Sequence, residues 1–137
     1  MALHSSALLG TVRDFRKLDV WNLGREFAVK CYEVTSRFPK EEQFGLSSQI
    51  RRACVSIPSN VAEGTGRDSD AEFLRFLRFA LGSLNELETL FAIASDLGMI
   101  SESDKESVNL RSTDLGVKLR NLATKVESDI KAAQRKP

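Results

Sequence analysis

Apolar side chains recur along this chain at helical spacing in four long runs, and no run alternates as a strand would. Proline and glycine separate the runs. The first covers about residues 17–38, with the spine Val20, Gly24, Phe27, Cys31, Val34 and Phe38. Its alternating steps of four and three make a heptad seam, which Trp21, Leu23 and Ala28 widen. The second covers about 39–63, with Ser47, Ile50, Cys54, Ile57, Val61 and Gly64 as its spine. Pro39 is expected to end the first helix and open the second, followed by Glu41 and Glu42 where the helix dipole favours acid. Pro58 falls inside this run. It lacks an N–H and crowds the carbonyl four residues back, so a kink is expected between Cys54 and Pro58.

The third run covers about 69–97, with Ser69 or Asp68 as cap and Glu72 three residues after Ser69, as in a capping box. Its seam is Phe73, Leu77, Ala80, Leu84, Leu87, Phe91 and Ala94, flanked by Leu74 and Leu81. A second stripe, Phe76, Phe79, Leu90, Ile93 and Leu97, makes the apolar arc wider than the roughly 100° that one buried face needs. That stripe is the candidate oligomer interface; the competing reading is a thick monomeric core. Gly98 stops the helix. The fourth run, about 102–133, follows Ser101 and an acidic first turn, and carries a narrow seam of Val108, Ser112, Leu115, Leu119, Leu122, Val126 and Ile130. Short connections predict an all-α, antiparallel up-down-up-down four-helix bundle over residues 15–133, with tails at 1–14 and 134–137.

Composition narrows the chemistry. The chain has 137 residues, of which 42% are hydrophobic and 28% charged, as in one soluble globular domain. Twenty Lys and Arg stand against 19 Asp and Glu, so total charge does not mark a nucleic-acid binder, and only a local patch could. Two cysteines, Cys31 and Cys54, make neither a disulfide framework nor a four-ligand zinc site, and read as buried, reduced thiols. The single histidine, His4, lies in the N-terminal tail, which argues against a histidine triad or a di-iron bundle site. Gly64-Thr65-Gly66 is a turn, without the Lys-Ser/Thr of a phosphate loop. No catalytic, cofactor-binding or metal-binding residue is therefore expected. No membrane span and no secretory leader is expected either, which makes the expected location cytoplasmic.

Charge distribution supplies the remaining candidates. Arg51 and Arg52 flank the second spine, and Arg75 and Arg78 lie one turn apart away from the third seam. Guanidinium groups fork onto phosphate oxygens; the alternative is salt bridging, with Glu63, Glu72 and Glu88 as partners. Residues 116–137 hold six basic and two acidic side chains, whereas 80–115 hold two and seven. An up-and-down bundle would gather this asymmetry at opposite ends. Lys118, Arg120 and Lys125, continued by Lys131, Arg135 and Lys136, are thus candidates for a basic, nucleic-acid-binding rim. Asn60, Glu63, Glu86 and Glu88 read as structural polar groups, the first two beside the Pro58 kink.

The words Phe38-Pro39, Phe44-Gly45-Leu46, Gln49-Ile50-Arg51-Arg52-Ala53, Ser56-Ile57-Pro58-Ser59-Asn60-Val61-Ala62-Glu63-Gly64, Phe73-Leu74-Arg75-Phe76-Leu77 and Gly82-Ser83-Leu84-Asn85-Glu86-Leu87-Glu88-Thr89 stand together here. With Trp21, they resemble the bacterial four-helix-bundle family of the 23S rRNA intervening-sequence protein over most of residues 15–133. The accessory proteins of diversity-generating retroelements resemble this fold. The resemblance implies a ring-like homo-oligomer, a pentamer, with no enzymatic activity. It further implies an adaptor that binds RNA or DNA, a protein partner, or both. A purely structural, protein-scaffolding oligomer is the alternative.

Overall fold

The computed structural model describes residues 14–135, and among them there are four α-helices and no strand. They are α1 (Asp19–Thr35), α2 (Leu46–Thr65), α3 (Asp70–Asp96) and α4 (Glu102–Gln134), with short 3-10 turns at Phe15–Lys17 and Lys40–Glu42. The expected tail over residues 1–13, His4 included, lies outside the described residues, as does Lys136. Asp14, placed in that tail by sequence, instead caps the first 3-10 turn.

Each helix packs on the next, and α1 also touches α4, so the four close around one core. Paired contacts fix the relative heights. Thr35 meets Arg51 and Ser56 meets Ser83. Arg78 meets Glu127 and Glu88 meets Ser112, while Arg37 at the end of α1 reaches Asp104 at the start of α4. That last pair is bidentate, at 2.9 and 2.8 Å, and the guanidinium holds the Asp104 carboxyl below its ordinary range.

The spines are the core. Val20, Gly24, Phe27, Cys31, Val34 and Phe38 are all buried, as are Ser47, Ile50, Cys54, Ile57, Val61 and Gly64. The whole third seam, from Phe73 to Ala94, is buried as well. On α4, Val108, Ser112, Leu115, Leu119 and Val126 are buried, and Leu122 and Ile130 half-buried. The caps follow the sequence: Ser69 Oγ accepts from the Glu72 amide at 3.2 Å, and Ser101 Oγ from Asp104 at 3.1 Å. Gly98 takes φ of 72°, a left-handed conformation that suits glycine and ends α3.

Two boundaries differ from expectation. The first helix stops at Thr35, yet the following turn still delivers Phe38 to the core. The second helix does not open at Pro39. The chain makes the 3-10 turn, exposes Phe44 and starts α2 at Leu46, whose amide donates to Glu42 Oε1 at 3.2 Å. Between Pro39 and Leu46 the only large apolar residue is Phe44, so no buried face rewards a helix there. From Leu46 to Thr65 α2 is helical through Pro58.

Candidate functional site

The polar residues singled out by sequence make structural contacts where partners are seen. Asn60 Nδ2 donates to the Ser56 carbonyl at 2.8 Å, rather than to the Cys54 carbonyl that Pro58 leaves without its helical donor. Glu88 accepts a short hydrogen bond from the Ser112 hydroxyl, which joins α3 to α4. Glu63 pairs with Arg67 at 2.6 Å. Cys31 and Cys54 are free and buried, and the Cys54 thiol donates to the Arg51 carbonyl at 3.2 Å and lies 3.8 Å from that of Ala28 on α1. The neighbouring Cys54 thiol, together with burial, pushes the Cys31 thiol well above its ordinary range. Thiols react as thiolates. Cys54 is shifted downward by its neighbouring thiol, so its protection rests on burial alone. Both cysteines are expected to resist a disulfide reagent at pH 8 in native protein and to react within minutes once urea unfolds it; fast native labelling would contradict the packing. Among the described residues no group of His, Cys, Asp and Glu is arranged to hold a metal ion.

The seven basic candidates sort by their carboxylate partners. Arg75 pairs with Glu72 at 3.5 Å and Arg78 with Glu127 at 3.2 Å. Lys118 stands 3.8 Å from Asp114, and Lys125 3.8 Å from Asp129. Among the described residues, no carboxylate forms an ion pair with Arg51, Arg52 or Arg120. Arg51 is a strut: Nε donates to Thr35 Oγ1 at 2.9 Å, Nη2 to the Tyr32 carbonyl at 3.4 Å, and the guanidinium lies 4.7 Å from the Tyr32 ring centre. Arg52 beside it is exposed.

The apolar candidates also divide. Phe76 and Leu90 are buried within the single chain, whereas Phe79 and Ile93 on α3 and Leu97 at its C-terminal cap are exposed. Phe76 is sandwiched by its own neighbours, with the Arg67 guanidinium 4.5 Å from its ring centre and the Phe79 ring at 5.4 Å.

Two apolar surfaces were not singled out by sequence. Tyr32, Phe44 and Val55 are exposed around Arg51 and Arg52 and line a shallow hollow with Gln43 and Ser48. Phe44 is 90% exposed. On the outer face of α4, Leu110 and Val117 stand seven residues apart, both exposed, on an open surface shared with Glu102, Glu106 and Asp114. The spacing of 110 and 117 was the available signal. It is a second heptad step on α4, out of phase with the buried seam.

These observations define an all-helical, four-helix protein that presents arginines and large apolar side chains on its outer faces. Residues 16–121 match the family described as 23S rRNA-intervening sequence protein. The fold is similar to a crystal structure of a protein with unknown function from the S23 ribosomal protein family of Bacteroides thetaiotaomicron VPI-5482. That match has a TM-score of 0.69 and 29% identity, over 77% of this chain and 95% of that one. No curated protein matches. The chain belongs to the 23S rRNA-intervening sequence protein family. Among the described residues no helix is long and apolar enough to cross a membrane.

Proposed function

We propose that this protein is a non-enzymatic, cytoplasmic adaptor: an antiparallel up-down-up-down bundle, bent at Pro58, that assembles as a homopentameric ring and binds nucleic acid through a basic rim. The observation that carries the assembly is that exposed large apolar side chains occur on several faces of the bundle: Tyr32 with Phe44, Phe79 with Leu97, and Leu110 with Val117. The rim is built from the exposed Lys118, Arg120 and Lys125 of α4, repeated by the ring. Two of these three hold their carboxylates only at 3.8 Å within one helix, a geometry that a phosphate can displace.

Light scattering on a sizing column, with absorbance at 260 and 280 nm after gentle purification at low salt, tests both parts. A mass of several chains with excess absorbance at 260 nm that salt removes is the expected result. Reversing the charge of Lys118, Arg120 and Lys125 together is expected to weaken nucleic-acid binding at least tenfold and leave the mass unchanged; unaltered affinity would remove the rim. A protein-scaffolding oligomer without a nucleic-acid role is the second reading. It is favoured by the ion pairs of Arg75 and Arg78, which use up two of the candidate phosphate ligands.

A further inference from the structure

We infer that the Arg51–Arg52 face of one protomer seats on the outer face of α4 of a second copy. This contact, with Phe44 against Leu110 and Val117, is the repeating joint of the ring. The inference rests on the assembly proposed above and names the two surfaces that make it.

Charge complementarity selects the pair. Tyr32, Gln43, Phe44, Ser48, Arg51, Arg52 and Val55 line the hollow, two cations and no acid. The outer face of α4 carries Glu102, Glu106 and Asp114, the last already 3.8 Å from Lys118, beside Lys105. Among the described residues neither Arg52 nor Glu106 has an ion-pair partner in its own chain. The apolar parts match too. Phe44 is 90% exposed at the bundle surface, and Leu110 is 66% exposed on the outer face of α4. Large apolar side chains meeting with arginine at the edge are a composition that recurs at protein–protein hot spots.

The heights agree as well. Arg51 bonds Thr35 at the end of α1, and Arg37, two residues further, bonds Asp104 at the start of α4. Arg52 and Glu106 therefore lie at the same end of the bundle, within about one to two turns of each other along its axis at 1.5 Å per residue. The two surfaces are different, so the contact is head-to-tail. A copy rotated about an axis along the helices meets its neighbour with little vertical offset, which is the condition for a closed ring rather than a filament.

The test uses the full chain at one fixed concentration, with light scattering for mass and circular dichroism for folding. Wild type is expected to assemble. R52E and E106R, both at exposed sites, are each expected to drop the mass to that of a single chain of 15.2 kDa while the helix signal is kept. A chain carrying R52E and E106R together is expected to reassemble, because the swapped pair is again complementary. Single variants that keep the wild-type mass, or a double variant that stays monomeric, would overturn the pairing. So would dissociation by F79S and L97S but not by R52E, which would put the joint on α3. In these cases the ring itself would stand. A monomeric wild type would instead remove the assembly reading, and this inference with it.

Discussion

Phe27→Ala is expected to cost about 3–5 kcal/mol, the range for removing a fully buried aromatic ring. A domain of this kind is held by about 5–15 kcal/mol in total, so this single change should remove roughly a fifth of it or more. Phe27 carries α1. The other buried residues of that helix are Val20, Gly24, Cys31, Val34 and Thr35, none with comparable volume. Its ring sits at the floor of a cleft of about 340 Å³, with Leu87, Phe91, Ile100 and Val108 around it. Truncation would extend that cleft into the core. The neighbouring helices cannot collapse freely, since the Glu88–Ser112 bond ties α3 to α4 at the same site. Urea unfolding at one protomer concentration checks the value, because assembly would otherwise make the midpoint concentration-dependent. A loss below about 1 kcal/mol would mean that the ring is not tightly packed.

The helices were legible because burial along each is periodic. A heptad of apolar and small residues such as Val20, Gly24, Phe27 and Cys31 has one geometric solution, a seam facing other helices. The start of α2 was not legible from Pro39 and two acids, since those signals describe a helix terminus equally well when it is a 3-10 turn. What decided the matter was the lack of a buried face before Leu46 and the Glu42 carboxylate that caps the next turn. The fate of the arginines was hidden for a different reason. Arg78 is neutralised by Glu127 from another helix, and Arg52 by nothing in its own chain among the described residues. Local spacing does not carry that difference, because it depends on which helix faces become neighbours. The width of the α3 apolar arc was legible, but not its division. Phe76 is covered by Arg67 from the α2–α3 connection, while Phe79 three residues on remains exposed.

Gly64→Val is expected to destabilise the fold by about 2–3 kcal/mol, through overlap rather than through a lost contact. A Cβ at this position would stand 2.8 Å from Phe76 Cβ and 3.0 Å from Phe73 Cδ1. Even alanine, which gains up to about 1 kcal/mol in helix propensity over glycine, must spend that gain on separating α2 from α3. The nearer atom is what makes the site unforgiving. A Cβ is fixed to its backbone and cannot swing away as the end of a side chain can. Phe76→Ala would keep that atom and is therefore expected to give no relief to Gly64→Ala, whereas shortening Phe73, whose ring carbon is the second contact, should relieve part of it. Gly24 provides the comparison. A Cβ there would meet Ile57 and Pro58 at 3.5 Å, an ordinary contact, so Gly24→Ala should be close to neutral or mildly stabilising. Urea midpoints for the two alanine variants and the valine variant separate these cases. A Gly64→Ala protein more stable than the Gly24→Ala one would show that α2 and α3 do not approach as closely as the Gly64–Phe76 contact requires.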